Sequence, residues 1–320
     1  MPAIETRDLR KRYRGVEALK GVSVRVEPGE VYGLLGQNGA GKTTLVKILL
    51  GIVKPTGGGA DLLGRPAGDA AARKRVGYLP EDHRFPEYHT AWSLLDFYGS
   101  LHGVPRSDRR KRIPAALDRV GLGQRMNSKI RTYSKGMKQR LGIAQALFHN
   151  PEVVFLDEPT DGVDPLGRRE IRGILTELKD AGVTVFVNSH LLSEVELVCD
   201  RVAILRRGEL AREGTIAELT EQRNVYVVGL ADGQDFPADA ARAAGFDARP
   251  AGPFWEVTVA DGRAIDAVVD LLRGRGLGLR HLLEKRQTLE DIFFQTVGAD
   301  GAGDAPAVIP VVLAAGEGRP

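Results

Sequence analysis

The segment from Gly36 to Thr44 constrains the fold more than any other part of the chain. It reads GQNGAGKTT and fits the pattern G-x-x-x-x-G-K-[ST]. Its glycines let successive backbone N–H groups turn towards one anion, and the helix that follows presents its N-terminus to the same anion. The apolar run Val31–Leu35 before it and the helical spacing of Gly41–Leu50 after it agree with a strand–loop–helix unit. The sequence therefore predicts an α/β sheet with a phosphate-binding loop.

The residues of this loop have distinct expected parts in nucleotide binding. Backbone N–H groups would hold the phosphates, Lys42 would add a positive charge at the β- and γ-phosphates, and Thr43 would offer its hydroxyl to Mg²⁺. ATP and Mg²⁺ are the expected cofactors. A glycine-rich turn with an incidental lysine is the alternative, which the flanking strand and helix disfavour. The candidate phosphate-binding residues are Gly36, Gln37, Asn38, Gly39, Ala40, Gly41, Lys42, Thr43 and Thr44.

A pair of acids follows a strand in the middle of the chain. The apolar run Val153–Leu156 ends abruptly in Asp157 and Glu158, and a buried parallel strand accommodates adjacent acids only at its carboxyl end, where ligands bind. Asp157 can then hold Mg²⁺, directly or through water, while Glu158 accepts a proton from the attacking water molecule. The alternative is an acidic surface turn running through Thr160, which is disfavoured beside a phosphate loop.

The order of apolar patterns divides the chain into regions. Strand, loop and helix patterns fill residues 1–84, helical patterns fill about 85–150, and strand–helix alternation returns over 151–210. All-apolar strands between helices predict a parallel sheet covered on both faces. We therefore expect one α/β domain over 1–220, built on a phosphate-loop NTPase sheet with a helical subdomain at about 85–150.

The composition changes after about residue 220. We expect a small α/β accessory domain over 221–297, followed by a disordered tail over 298–320, which is rich in Gly, Ala and Pro. The accessory domain is predicted from three strand patterns and two helical patterns, at 224–230, 254–259, 279–285, 238–244 and 265–273.

Charge and composition exclude several classes of protein. Lys and Arg number 45 against 42 acidic residues, and the basic run Arg109–Arg112 is typical of a solvated helix face rather than a nucleic-acid patch. The single cysteine, Cys199, excludes an intramolecular disulfide. No stretch approaches the roughly 20 apolar residues that cross a bilayer. We therefore expect no nucleic-acid partner, and a role at a membrane only through a partner protein.

The segment YSKGMKQR, from Tyr133, resembles the signature motif of the ATP-binding cassette (ABC) transporter family. It lies just before a helical pattern and matches the motif at Ser134 and Gly136, whereas Lys135 and Met137 depart from the commonest form. Taken alone, it would also fit an ordinary helix capped by Ser134. The resemblance implies two cassettes that sandwich two ATP molecules, each between one chain's phosphate loop and the other's signature motif. The implied partners are a second cassette, identical or paralogous, and an integral membrane permease subunit.

The resemblance covers about residues 3–220 and assigns roles to three further residues. His190 resembles the switch histidine that contacts the γ-phosphate, Asp164 matches an acidic position in the loop that communicates between the two sites, and Tyr13 resembles the aromatic residue that stacks on adenine. Taken alone, a histidine is usually structural, and Tyr13 would be a half-buried surface residue. Within the resemblance, Glu158, His190 and Lys42 are the expected catalytic residues.

Three other segments bear on function through the same resemblance. Gly77–Glu81 aligns with a segment that usually ends in Gln; Glu81 keeps an oxygen ligand for the metal but loses the amide donor and adds a charge. Phe85–Thr90 begins the family's docking surface for the membrane partner. Gln287–Phe293 looks like the end of exporter-type cassettes, which favours export over import.

The function implied by these features is ATP hydrolysis that powers export through a separate membrane-spanning partner, with the chain in the cytoplasm on the cytoplasmic face of the cell membrane. Two alternatives remain open: a non-transport ABC ATPase acting on nucleic acid or ribosomes, and a soluble nucleoside-triphosphate kinase. The kinase reading leaves the signature segment and His190 unexplained. The sequence does not identify the cargo, and we hypothesise that residues 221–297 assist dimerisation or regulation.

Overall fold

The computed structural model describes residues 1–220, 224–231, 233–260, 264–285 and 287–298. The strands in these ranges, β1 to β15 in chain order, are Ile4–Tyr13, Val16–Val22, Arg25–Val26, Val31–Gly36, Gly57–Leu62, Arg65–Pro66, Val76–Leu79, Val153–Asp157, Thr184–Asn188, Arg201–Arg206, Glu209–Thr215, Val225–Leu230, Asp247–Ala251, Phe254–Thr258 and Leu279–Glu284. The helices, α1 to α11, are Lys42–Leu49, Ala70–Arg73, Ala91–Leu101, Arg106–Arg119, Lys135–Leu147, Pro165–Asp180, Leu192–Val198, Ile216–Thr220, Ala238–Ala243, Ala264–Gly274 and Leu289–Gly298.

The central sheet has the strand order β11-β10-β4-β9-β8-β7. The five strands from β10 to β7 are parallel, and β11 pairs antiparallel with β10 at one edge. Strands β4, β8 and β9 are buried along their whole length, as parallel strands are when both faces of a sheet are covered. Because they run in the same direction, their carboxyl ends meet at one edge. The predicted α/β fold is confirmed.

Alternate side chains of the central strands belong to two separate cores. Val154 and Val185 pack in the core that includes helices α3, α5 and α6. Tyr32, Phe155 and Phe186 lie in the other core, with α1 and a second, antiparallel sheet of order β2-β1-β5-β6, in which β3 also pairs with β1. Consecutive side chains of a strand point to opposite faces, so one buried strand supplies both cores.

The helical subdomain begins at a well-formed cap. Thr90 Oγ1 accepts a hydrogen bond from Ser93 N, while Ser93 Oγ accepts one from Thr90 N, an exchange that satisfies two free donors at the start of α3. Helices α3, α4 and α5 pack together through fully buried side chains such as Leu94, Ile113 and Leu141. Of these helices, α5 contacts β7, the strand at one edge of the central sheet.

Residues 224–285 form a third sheet with its own core. Its strand order is β13-β14-β12-β15, every pairing is antiparallel, and α9 and α10 pack on it. Val228, Val257 and Val268 are fully buried in that core. The small sheet is therefore an insertion between α8 and α11.

The last helix, α11, does not join the core of the small sheet. Its Leu289 and Ile292 are fully buried in the core that also contains side chains of α7 and β10. The sequence patterns place this helix in the small domain over 221–297, whereas the structure packs it on the cassette. The difference arises because an amphipathic stripe does not itself identify the surface it covers. From residue 299 onwards the predicted tail lies outside the described residues, and the domain boundaries stay a prediction. Among the described helices, none combines the length and apolarity that a membrane crossing requires.

Candidate active site

The phosphate loop lies between β4 and α1 and is held by neighbouring backbone. Gly41, just before α1, has φ 109°, and a Cβ there would lie 2.6 Å from the Ala18 carbonyl oxygen, so only glycine fits. Gly208 N donates to the Ala40 carbonyl at 2.9 Å, and Lys20 N donates to the Gly208 carbonyl at 2.8 Å. The loop is thus fixed against β2 and the turn after β10.

Lys42 is the first residue of α1, and its side chain reaches back over the loop. Its Nζ donates to the carbonyl oxygens of Gly36 at 2.6 Å and Gln37 at 3.2 Å. Burial lowers the pKa of the Lys42 ammonium, and the negative charges of Glu158, Asp157 and Glu81 oppose that shift. Those three acids therefore share one electrostatic neighbourhood with the loop lysine.

The loop residues differ in exposure in a way that suits phosphate binding. Ala40 is buried, Thr44 is half-buried, and Thr43, in the first turn of α1, is exposed. Gln37, Asn38 and Gly39 are exposed, so an anion can approach the loop at these residues.

Asp157 is the last residue of β8, and Asn188, the last of β9, is its direct partner across the two strands. The Asn188 side-chain amide donates to Asp157 Oδ1. Burial raises the pKa of Asp157 to about 6, against the opposing effect of that hydrogen bond, and the charge of Glu81 raises it further. Asn188 Oδ1 is buried and has no hydrogen-bond partner, so this oxygen is available to a hydrogen-bond donor or a cation beside the Asp157 carboxylate.

Glu158 turns sharply away from the strand, with φ 51°, a left-handed conformation that is costly for a non-glycine residue and common at functional sites. Its Oε2 accepts hydrogen bonds from Ser189 Oγ at 3.2 Å and His190 N at 3.3 Å, and lies 2.8 Å from His190 Nδ1. The Gln139 side-chain amide donates to the Glu158 carbonyl at 2.8 Å. The carboxylate is buried, whereas the His190 side chain is 61% exposed.

Three of these contact residues were not predicted as members of the site. Asn188 and Ser189 precede His190 at the end of β9, and Gln139 lies in α5, 19 positions before Glu158. The sequence signal for Asn188 and Ser189 is their place at a strand's carboxyl end. Nothing in the local sequence around Gln139 indicates its contact with the Glu158 backbone.

The predicted metal ligands are Thr43, Asp157 and Glu81. They offer hydroxyl and carboxylate oxygens, which are the donors Mg²⁺ prefers when it also binds phosphates and water. Within the described residues, no three acidic, histidine or cysteine side chains cluster closely enough to hold a metal by themselves. The donor set, together with the unpartnered Asn188 Oδ1, therefore fits a Mg²⁺ ion that arrives with a nucleotide.

The signature-like segment forms the start of α5. Ser134 Oγ accepts from Met137 N at 3.2 Å, Gly136 lies against Val163, and Lys135 Nζ is 2.6 Å from Asp161 Oδ2. Both Ser134 and Lys135 are exposed. The segment therefore presents a helix N-terminus to solvent, while Lys135 and Gly136 contact the loop before α6.

Asp164 and Tyr13 occupy different surroundings. Asp164 is the N-cap of α6, and its Oδ1 accepts from Gly167 N at 2.7 Å. Tyr13 lies at the end of β1, beside the tight turn to β2, with 41% of its surface exposed and Lys11 Nζ 4.8 Å from its ring centre. The carboxylate of Asp164 thus has a structural task, and the ring of Tyr13 remains accessible.

A cavity of about 440 Å³ opens in front of the phosphate loop. One wall is backbone of the loop, another is the segment that carries His190, and a third comes from the distant helix α11. Its lining residues are Gly36, Gln37, Asn38, Ser189, His190, Leu192 and Phe293.

A parallel sheet with a phosphate loop at its carboxyl edge, and a buried glutamate in contact with a histidine just after the neighbouring strand, define a nucleotide-binding ATPase built as a cassette with a helical subdomain. Residues 19–161 match the family described as ABC transporter. The chain belongs to the ABC transporter ATP-binding protein family, whose domain hydrolyses ATP, which confirms the resemblance drawn from the signature segment.

Similar proteins span most of the chain. An uncharacterized ABC transporter ATP-binding protein of Synechocystis is 51% identical over 241 residues, covering 72% of this chain and 68% of that protein. Another, from Nostoc, is 46% identical over 304 residues, covering 92% and 89%. The bacitracin transport ATP-binding protein BcrA of Bacillus licheniformis is 38% identical over 227 residues, covering 70% and 73%.

Solved structures of similar fold include cbiO1 from Clostridium perfringens, described as part of the ABC transporter complex cbiONQ. It has a TM-score of 0.62 and 31% identity, covering 68% of this chain and 90% of that chain. A dimeric ATP-binding cassette in a post-hydrolysis state, bound to ADP and Pi, has a TM-score of 0.61 and 26% identity, covering 67% and 98%.

Proposed function

We propose that the chain powers export through a separate membrane permease, working as a dimer of cassettes on the cytoplasmic face of the membrane. The observation that carries the proposal is the contact of Glu158 with Ser189 and His190, at the edge of the sheet that also carries the phosphate loop. The negative charge of Glu158 acts on the Lys42 ammonium and opposes the lowering of its pKa by burial. This edge therefore combines an anion-binding loop with a carboxylate able to take up a proton.

The proposed hydrolysis needs few groups of the protein. The oxygen of a water molecule attacks the γ-phosphorus, the bond from that phosphorus to the bridging oxygen breaks, and Glu158 accepts the water's proton. Lys42 and the loop N–H groups stabilise the negative charge on the phosphoryl oxygens. His190 holds the carboxylate in place and has an exposed face that can contact the γ-phosphate. Mg²⁺, bound through Thr43, Asp157 and Glu81, would neutralise phosphate charge.

The proposed dimer rests on the exposed start of α5. Ser134 and Lys135 are accessible at a helix N-terminus, which favours an anion, yet this chain already has one phosphate loop. A nucleotide bound to the loop of a second copy is the ligand that fits. The dimeric state of the similar cassette bound to ADP and Pi supports this arrangement.

The proposed permease-binding surface lies on the helical subdomain. The apolar side chains of Tyr88, Phe97 and Leu101 are 71%, 50% and 67% exposed, and the Tyr88 ring lies 4.6 Å from the His89 ring. Exposed apolar patches of this kind mark protein–protein contacts. The preference for export rests on the resemblance of Gln287–Phe293 to exporter cassettes, and similarity to a bacitracin transport protein supports a transport role.

The first experiment is affinity purification of the tagged chain from gently solubilised membranes. We expect a stoichiometric polytopic membrane protein to copurify. The Phe97→Asp variant should lose it, whereas Ile52→Asp, at a residue 60% exposed outside the helical subdomain, should retain it. Recovery of the unsubstituted chain with ribosomes or nucleic acid, and without a membrane protein, would instead favour a non-transport ABC ATPase.

The same purified complex tests the role of Glu158. Glu158→Gln should keep ATP binding and lower turnover by at least about 100-fold, because the amide cannot accept the water's proton. Glu27→Gln, at an exposed acid in the loop before β4, is the matched control and should turn over normally. Equal losses of binding and turnover in Glu158→Gln would refute the assigned role.

A further inference from the structure

The cavity in front of the phosphate loop has one wall that belongs to no ATPase motif. Phe293, in the middle of α11, lines this cavity together with His190 and Leu192. More than 100 residues separate Phe293 from His190 in the sequence, so the two residues line one cavity only because α11 folds back onto the cassette. The half-buried ring of Phe293 therefore forms part of the cavity wall in front of the phosphate loop.

The start of α11 is fixed to the helix that follows His190. Leu289 N donates to Glu196 Oε2 of α7 at 3.0 Å. Thr288 and Asp291 exchange hydrogen bonds, with Thr288 N to Asp291 Oδ2 at 2.9 Å and Asp291 N to Thr288 Oγ1 at 3.2 Å. This reciprocal cap satisfies donors at the helix start, and the bond from Leu289 N ties that end of α11 to α7.

The other end of α11 is fixed to the central sheet. Arg206 Nη1, at the end of β10, donates to the Thr296 carbonyl at 3.2 Å, and a cation suits the C-terminus of a helix. Between the two ends, Leu289 and Ile292 are fully buried. The helix is thus held to α7 on one side of Phe293 and to β10 on the other.

Helix α7 connects this contact to the proposed catalytic carboxylate. It begins at Leu192, two residues after His190, and Leu191 N donates to Ser189 Oγ at 3.1 Å. That same hydroxyl donates to Glu158 Oε2, which His190 also contacts. A shift of α7 would therefore move the donors that hold Glu158.

We propose that α11 is a positioning element of the ATPase site, in which Phe293 holds the segment of Ser189 and His190 against Glu158. The proposal rests on the catalytic roles assigned above to Glu158 and His190. Phe293 lines the same cavity as Ser189 and His190. Removing the ring leaves that segment free to move away from the carboxylate.

The test compares ATP turnover by the full-length chain in its purified complex. Phe293→Ala should lower kcat by about 10- to 100-fold, because small displacements of positioning groups are that costly, and should change KM for ATP by less than about threefold. Phe293→Leu should recover most of the lost turnover. Phe294→Ala is the matched control, since that neighbouring ring is 58% exposed and does not line the cavity, and it should turn over normally.

A double-substitution cycle separates positioning from general loss of structure. If Phe293 acts through His190, adding Phe293→Ala to His190→Ala should cause no further loss of turnover. Thermal unfolding of each variant reports on the fold independently. An equal further loss in the His190→Ala background, or normal turnover of Phe293→Ala, overturns the inference. Normal turnover of His190→Ala itself would instead refute the proposed function of that histidine.

Discussion

Asp157 shows how burial adjusts a single charge at the edge of the sheet. Its pKa is raised to about 6, chiefly by burial, although Asn188 donates a hydrogen bond to it. Because burial disfavours the charged carboxylate, a cation that approaches it relieves part of that cost. The native chain therefore stores an electrostatic cost at the position proposed to bind Mg²⁺.

That cost predicts a measurable pH dependence of stability. Since the native pKa of about 6 exceeds the ordinary 3.8, the folded chain binds more protons between these values and loses stability as the pH rises through them. Asp157→Asn removes this loss. In buffer without nucleotide or Mg²⁺, the variant should gain on the order of 1–3 kcal/mol of unfolding free energy at pH 7.5 and nothing near pH 4.

Urea unfolding at the two pH values measures this gain. The control is Asp239→Asn, at a fully exposed carboxylate, which should shift stability by less than about 0.5 kcal/mol at either pH. A gain for Asp157→Asn that is the same at pH 4 and pH 7.5 would contradict an origin in the carboxylate's charge.

At the scale of one helix, Asp164 illustrates a residue whose predicted role and observed contact differ. The resemblance placed it in communication between two ATP sites. In the structure, its Oδ1 accepts from Gly167 N at 2.7 Å and caps α6. The role in communication stays a prediction, whereas the cap is a direct contact with a known energetic scale.

The cap predicts how substitutions at Asp164 affect stability. Asp164→Ala should lower the unfolding free energy by about 1 kcal/mol, while Asp164→Asn, which keeps an acceptor oxygen, should stay within about 0.5 kcal/mol. Asp161→Ala is the control, because that carboxylate pairs with Lys135 at the surface, and exposed ion pairs contribute little. Chemical denaturation of the three variants measures their unfolding free energies. An equal loss of unfolding free energy in Asp164→Asn and Asp164→Ala would mean that the charge matters and the cap does not.

At the scale of the whole molecule, the small domain is attached to the cassette at both ends. The chain leaves the cassette after α8, forms the third sheet, and returns as α11, which packs against both α7 and α8. The two attachment points are therefore neighbours. The cassette needs α11 for its core, but it does not need the small sheet for that core.

Two deletions should consequently differ in their effect on the stability of the cassette. Replacing residues 221–286 with a short Gly/Ser linker should leave the cassette folded, because α8 and α11 remain adjacent. Ending the chain after Thr220 should cost about 3–6 kcal/mol, because it removes the burial of Leu289 and Ile292. Circular dichroism with thermal unfolding tests both, and equal stability of the two products would show that α11 contributes nothing to the cassette core.

Local sequence was sufficient where the chemistry is local. The phosphate loop and the acids at the end of β8 could both be predicted, because glycine geometry and strand ends act over a few residues. Strand β1 could not, since its sequence IETRDLRKRY has an irregular burial pattern and is rich in charges. Such a strand is identified by its neighbours in the sheet rather than by its own periodicity.

The sequence by itself therefore determined the family, the fold class and the order of the candidate site residues along the chain. Only the tertiary structure decided which distant groups meet: Gln139 with the Glu158 backbone, Asn188 with Asp157, and Phe293 with the cavity beside His190. An amphipathic helix such as α11 specifies that one face must be buried but not the surface that buries it. That choice depends on the packing of the whole chain, which no local pattern encodes.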